Sequence, residues 1–237
     1  MRLQGKRAVV TGGSRGIGKA IAAAMVREGA EVIICSRRAE GIAAAAEEIA
    51  AVGRVCHTGR LDSIEEFWEP TGTVDILVNN AGTNPYFGPL MGSEWPAWDK
   101  TFEVNLKGPF EMTRQFARRT HSGSVIFVSS VYGLTGAPHQ GIYAMTKAAL
   151  ISLTKTLSFE LAPHIRVNCI APGLVETRFA KALLEDDELR ASFTDRAALE
   201  RVAHPSEIAG AAVFLASEEA GFITGQTIAV DGGYTVA

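Results

Sequence analysis

Cysteine is scarce in this chain: 237 residues carry three, at positions 35, 56 and 169. They are odd in number, far apart, and form neither a C-x-x-C pair nor a Cys/His cluster at metal spacing, so a disulfide framework and a zinc site both fall away. All three read as reduced core thiols, and no metal is expected. Charge of one sign is lacking too, with 23 Lys and Arg against 26 Asp and Glu and a net charge of -3. Nucleic-acid domains show a basic excess, so neither nucleic acid nor an anionic membrane is an expected partner. No run of 18 apolar residues exists to span a bilayer. The chain enters a strand-like run soon after Met1-Arg2-Leu3-Gln4-Gly5, leaving no room for a leader, and Tyr-Thr-Val-Ala before the end is not a targeting tripeptide. The expected compartment is therefore the cytoplasm. There is no Pro/Gly/Ser linker and no internal repeat, and the composition is 47% apolar and 21% charged. One soluble globular unit over residues 1–237 is the expectation.

What is present is alternation. Short β-branched apolar runs at Arg7–Thr11, Glu31–Ser36, Val74–Asn79, Ser124–Ser129, Ile165–Ile170 and Thr227–Val230, with a weaker one near Arg54–Thr58, alternate with helical patterns. The helical stretches are about 16–28, 41–52, 95–120, 141–161 and 206–217. Nearly continuous apolar strands suit a parallel sheet covered on both faces, so the order predicts an α/β, doubly wound fold with about seven strands. Two segments, 83–94 and 173–205, lack clear patterning apart from a weakly helical 180–192. Both follow predicted strands and should emerge at the carboxyl edge of the sheet, where open α/β folds bind ligands.

The first strand ends in Thr11-Gly12-Gly13-Ser14-Arg15-Gly16-Ile17-Gly18 and runs into an Ala-rich helix. Glycines at 12, 16 and 18 permit a tight turn, close approach of backbone to a phosphate, and close helix packing, while the helix N-terminus offers free N–H groups. Most of a P-loop pattern, Gly13 to Gly18 and then Lys19, overlaps it. Ala20 follows where that pattern needs a Ser or Thr to hold Mg²⁺, so a dinucleotide turn is the better reading. The second strand ends in Ser36-Arg37-Arg38 with no acid between Glu31 and Glu40. An acid there would hold a ribose 2′-hydroxyl, whereas Arg37 and Arg15 would favour a 2′-phosphate. NADP is thus expected over NAD.

The fifth predicted strand ends at Ser129-Ser130, and the next helix opens with Tyr143-Ala144-Met145-Thr146-Lys147. Tyr143 and Lys147 share one helical face, so the ammonium should favour the phenolate and bring a group of reference pKa about 10 towards neutrality. A tyrosine so tuned can act as a general acid or base.

Taken together, Thr11-Gly-x-x-x-Gly-x-Gly18, Asp62, Asn79-Asn80-Ala81-Gly82, Asn105, Ser130, Tyr143-x-x-x-Lys147, Pro172-Gly173-x-x-x-Thr177 and Asp231-Gly232-Gly233 resemble the short-chain dehydrogenase/reductase family over essentially the whole chain. The resemblance implies a Rossmann fold and a catalytic group of Asn105, Ser130, Tyr143 and Lys147. In that family's pattern Tyr143 would donate a proton to the developing alkoxide and Ser130 would hydrogen-bond the same oxygen. Lys147 would also hold the nicotinamide ribose, and Asn105 a water leading to bulk solvent. It further implies cofactor contacts from Gly12, Ser14, Arg15, Gly16, Ile17, Gly18, Arg37, Asp62, Asn80, Ala81, Gly82, Tyr143, Lys147, Pro172, Gly173, Val175 and Thr177. Asp62 would meet the adenine amino group, with a helix N-cap as its other reading. Between Asp62 and Asn80 the chain is shorter than typical members, so the helix there must be short.

Thr83 to Leu90, with Phe179, Leu183, Leu184 and Phe193, offers apolar and aromatic surface for a small hydrophobic ketone, aldehyde or alcohol, or else anchors the loops. Glu185 to Glu188 is an acidic run that would disfavour an acidic carrier protein. The leading expectation is an NADP-dependent carbonyl reductase or alcohol dehydrogenase. A 3-oxoacyl-thioester reductase and a non-catalytic dinucleotide sensor are the alternatives. The resemblance also implies a homo-oligomer, a tetramer above a dimer, built on the helices about 95–120 and 141–161 and the C-terminal strand. Ala148 to Thr154, small or apolar nearly all round, supports it.

Overall fold

The computed structural model describes residues 1–236. Seven parallel strands form one sheet: β1 (Arg7–Thr11), β2 (Glu31–Ser36), β3 (Val52–Val55), β4 (Ile76–Asn79), β5 (Gly123–Val128), β6 (Ile165–Pro172) and β7 (Thr227–Val230). Their spatial order is β3-β2-β1-β4-β5-β6-β7. The chain steps outward one way from β1 to β3, then crosses back to β4 and continues the other way. The crevice beyond the carboxyl ends of β1 and β4 is therefore the switch point of the sheet.

Alternation along the strands sends side chains to two apolar layers. Val9, Ile33, Leu77, Val125, Phe127 and Val167 pack with Ile64, Trp68, Met112, Phe116 and Leu150 on one face. Val10, Ile34, Val78, Ile126 and Ile170 pack with Ile21, Met25, Ile208 and Val213 on the other. Each such fully buried side chain contributes about 1.5–3 kcal/mol, which is why the sheet is the rigid part of the molecule. The first layer carries helices α3 (Leu61–Trp68), α5 (Gly108–Arg119) and α6 (Gly141–Glu160); the second carries α1 (Gly16–Arg27) and α9 (Pro205–Ala216).

Several expected boundaries move. β3 lies at Val52–Val55, not 54–58, because it is an edge strand whose outer residues are exposed and carry little apolar signal. α2 (Ala39–Ile49) begins and ends earlier than expected and stops at Ala50 in the left-handed region, φ 55°. The single long helix expected over 95–120 is two, α4 (Trp95–Phe102) and α5, joined by a π-helical turn at Glu103–Lys107. The weakly helical 180–192 resolves into α7 (Lys181–Leu184) and α8 (Asp187–Thr194). α3 is eight residues long, as the compressed spacing requires.

Candidate active site

The glycine-rich turn is held by the strand beside it. Thr11 Oγ1 accepts from the backbone N–H of Asn80 and of Ala81, both at 3.0 Å, and Asn80 Nδ2 donates to the Thr11 carbonyl at 2.9 Å. Gly16 has φ +56°, and a Cβ built on it would meet Thr177 Cγ2 at 3.2 Å, so the turn and the segment after β6 close on each other. Gly18 is pressed against the Asn80 amide and the Gly12 carbonyl, leaving no space for a side chain. Arg15 occupies the N-cap of α1 without a side-chain capping bond, so the first N–H groups of that helix are free for an anion. Ser14 and Ile17 are half-buried beside it and Arg15 is exposed. This cradle fits a dinucleotide pyrophosphate.

Past β5, Ser130 takes the N-cap of a short 3-10 turn, its hydroxyl accepting from Tyr132 N–H at 3.2 Å. Tyr143 and Lys147 lie on the inner face of α6, both buried, with Lys147 Nζ 5.4 Å from the Tyr143 ring centre. Burial pushes the Tyr143 phenol up to about 12, against a hydrogen bond with Ser130 that favours the phenolate. Burial pushes the Lys147 ammonium down to about 8. Among the protein's own groups the direction is opposite to the one expected from Lys147, because desolvation of the phenolate is the largest cause and the Ser130 hydrogen bond opposes it only in part. The phenol therefore keeps its proton at neutral pH. Lys147 Nζ donates to the Val128 carbonyl at 2.8 Å, and a Cβ on Gly82 would lie 3.6 Å from both Lys147 Nζ and Asn105 Oδ1.

Asn105 stands in the π turn and is fully buried. Its Oδ1 accepts from Thr83 N–H at 2.8 Å, and its Nδ2 donates to the Thr83 carbonyl at 2.9 Å and to Thr146 Oγ1 at 3.1 Å. The side chain expected to hold a water is occupied in pinning the loop after β4 to α6. Thr83 and Thr146 are therefore the partners of Asn105, which spacing alone did not reveal.

At the end expected to take the adenosine, Arg37 is exposed just beyond β2. Asp62 is also exposed, in the first turn of α3, where Arg60 holds the N-cap position, so its N-cap reading does not stand. Both its oxygens accept from the Arg60 guanidinium, at 2.5 and 3.3 Å, and that pairing holds the carboxyl below the usual carboxylate range. Pro172 ends β6, Gly173 packs against the Asp231 backbone, and buried Val175 pairs with Ala203. Thr177 caps the turn that carries Phe179, its hydroxyl accepting from Ala180 N–H at 3.3 Å.

The two loops close over Tyr143. Phe179 lies with its ring centre 5.8 Å from that of Tyr143 and is 53% exposed, whereas Phe193 is 7% exposed, wedged between Tyr132 and Tyr234. Phe179 faces the opening and Phe193 anchors. Across the mouth Asn84 Nδ2 donates to Gln140 Oε1 at 2.8 Å, Gly88 N–H to the His139 carbonyl at 2.9 Å, and Phe87 stacks on His139.

A switch-point crevice with a glycine cradle on one side and a buried Ser, Tyr and Lys on the other defines a dinucleotide-binding α/β oxidoreductase. Comparison with known proteins agrees. A family described as Enoyl-(Acyl carrier protein) reductase matches residues 12–235. Dehydrogenase/reductase SDR family member 4 of Pongo abelii is 40% identical over 98% of this chain and 88% of its own. Tropinone reductase-like 3 of Erythroxylum coca is 37% identical over 98% of this chain and 94% of its own. The structure of a gluconate 5-dehydrogenase from Burkholderia cenocepacia, in complex with NADP and tartrate, superposes with a TM-score of 0.93 at 36% identity, covering 100% of this chain and 97% of that one. The chain belongs to the short-chain dehydrogenase/reductase family of oxidoreductases.

Proposed function

We propose that the chain is an NADP-preferring carbonyl reductase, able to run in reverse as a secondary-alcohol dehydrogenase, acting on small uncharged apolar substrates as a cytoplasmic homotetramer. The observation that carries the reading is the buried Tyr143 phenol, kept protonated beside Ser130, with exposed Phe179 over it. NADPH, when bound, supplies the hydride. Gly12, Ser14, Gly16, Ile17, Gly18 and the start of α1 would take the pyrophosphate, Arg15 and Arg37 the 2′-phosphate, and Asp62, Asn80 and Ala81 the adenosine side. Gly82, Pro172, Gly173, Val175 and Thr177 would border the nicotinamide. Tyr143 gives its phenol proton to the carbonyl oxygen as negative charge develops there, and the Ser130 hydroxyl donates a hydrogen bond to the same atom. Lys147 places a positive charge behind the phenol, and Asn105 positions the loop that carries Gly82.

Supporting the apolar substrate class, the loops beside Tyr143 and His139 carry exposed Phe87, Leu90 and Phe179. An acidic carrier would meet the exposed run Glu185–Glu188 on the α7–α8 turn. No helix among the described residues is long and apolar enough to cross a membrane. The test is a screen of ketones, aldehydes and 3-oxoacyl thioesters with NADPH and with NADH, following loss of nicotinamide absorbance. Turnover of apolar ketones with NADPH supports the reading; thioesters as the only substrates, or no turnover at all, overturn it. In Arg37→Asp, a charge-assisted bond worth about 1.5–3 kcal/mol becomes a repulsion, so NADPH affinity should fall at least about tenfold while NADH affinity holds. Equal loss for both cofactors would remove Arg37 from the 2′-phosphate site.

A further inference from the structure

Asp62, the acid expected to face adenine, lies in α3, and the carboxyl end of β3 leads instead into a histidine. β3 is followed by Cys56, whose N–H continues the pairing with β2 by donating to the Ser36 carbonyl at 3.0 Å, and then by His57. This puts His57 at the carboxyl edge of the sheet, just past the strand next to β2, which Arg37 follows, whereas Asp62 sits further along in α3, tied to Arg60. The imidazole is fixed in place. Its Nδ1 accepts from Gly59 N–H at 3.3 Å, its backbone N–H donates to Ser63 Oγ at 2.9 Å, and Gly59 is wedged between the ring and Val104 of the π turn. With Nδ1 so engaged, the neutral ring carries its hydrogen on Nε2.

We propose that His57 is a specificity-determining residue of the adenosine site, taking up a proton when a 2′-phosphorylated dinucleotide binds and so making the preference for NADPH over NADH depend on pH. The inference rests on the NADP reading above and deepens it. The cations acting on His57 are Lys100 of α4, Arg37 beyond β2 and Arg60 at the start of α3, the last of them already paired with Asp62. Burial and then these cations hold the imidazole below its ordinary value, so that it is neutral at neutral pH. A phosphate dianion bound beside Arg37 and His57 reverses the balance, because it offsets the cations and favours the imidazolium. Binding then takes up a proton, and NADPH affinity falls as pH rises through the value His57 has in the complex, by up to about tenfold per pH unit for one proton. NADH, lacking the phosphate, carries no such dependence.

The test is titration calorimetry of the intact protein with NADPH and with NADH near neutral pH, in two buffers of different ionisation enthalpy, for the wild type and for His57→Asn. Asn Oδ1 can still accept from Gly59 N–H but cannot be protonated, and a melting curve checks that the variant is folded. The expected result is a greater proton uptake for NADPH than for NADH in the wild type, and a smaller NADPH uptake in His57→Asn than in the wild type. The titration of the phosphate itself is common to both proteins and cancels in their comparison. Equal uptake in both proteins overturns the proposal. A second variant, His57→Asp, should move the preference towards NADH, and an unchanged NADPH/NADH affinity ratio there counts against it. Wild-type binding of NADH as tight as NADPH would instead overturn the cofactor reading itself, and a retained NADPH preference with no linked proton would sink only the role of His57.

Discussion

A buried phenol and a buried ammonium one helical turn apart are pushed by desolvation in opposite directions. Tyr143 rises to about 12 and Lys147 falls to about 8, so near neutral pH the phenol keeps its proton and the amine is close to losing one. Tyr143→Phe keeps the ring against Phe179 and removes the transferable proton. Activity should fall by about 10²-fold or more while NADPH affinity changes little, read by steady-state kinetics and direct titration. Near-full activity in the variant would remove Tyr143 from its role. Lys147 makes a prediction about stability. Its fall from 10.5 to about 8 means that native protein releases this proton before unfolded protein does, at a cost of about 3 kcal/mol at neutral pH. Between about pH 8 and 10.5 the unfolded state binds more protons, so this contribution to stability rises with pH. Lys147→Met lacks the ionisation. The wild type should therefore gain stability relative to the variant as pH rises across that window, seen in paired melting curves, and parallel curves would show that the amine is not desolvated. These residues were legible because Tyr-x-x-x-Lys on a helix is a spacing. Their pKa directions were not, because burial is set by Phe179 and the loops, which come from elsewhere in the chain.

At the scale of elements, the π turn between α4 and α5 gives Asn105 its reach. One residue too many for an α-helical turn rotates the side chain inward, where it joins the loop after β4 to Thr146 on α6. Asn105→Ala leaves the half-buried Thr83 N–H and C=O, and the buried Thr146 hydroxyl, without these partners. It should cost about 2 kcal/mol or more, and lower NADPH affinity through the displaced Gly82 segment. Calorimetric melting and a cofactor titration check both, and an unchanged melting temperature would show that solvent replaces the amide without penalty. Nothing in Glu103-Val-Asn-Leu-Lys107 announces an i to i+5 turn, since its apolar spacing also suits an α-helix, and so 95–120 read as one helix. The strands behaved differently. β1, β5 and β6 are buried on both faces and their β-branched runs marked them within a residue or two, whereas the exposed edge strand β3 was displaced. That displacement also hid His57, because a strand read at 54–58 takes it in as a strand residue and leaves Asp62 as the first acid beyond it.

On the whole molecule, apolar surface is left uncovered in two places. On one side α4 packs near α6, and Trp95, Phe110 and Met145 are exposed. On the other, Ser158 at the end of α6 touches Gly225 before β7, and there Phe159 is 85% exposed and Phe222 wholly so. Isolated exposed apolar residues are ordinary, but large aromatics grouped on two faces mark surfaces made to be covered. A cyclic dimer uses one self-complementary face, whereas a tetramer with three perpendicular two-fold axes needs at least two different ones. Two separate patches on one chain therefore favour the tetramer. The helices around the first patch also carry Asn105, Tyr143 and Lys147, so an interface there would brace the site from behind. Light scattering at micromolar concentration should give four times the mass of one chain. Phe159→Asp combined with Phe222→Asp places charge on the second patch only and should reduce the assembly to dimers with the first face intact. Because Tyr143 and Lys147 are far along α6 from Phe159, those dimers should keep activity. A wild-type mass of one chain would overturn the assembly, and an unshifted tetramer in the double variant would show that the Phe159 and Phe222 face is not one of its contacts.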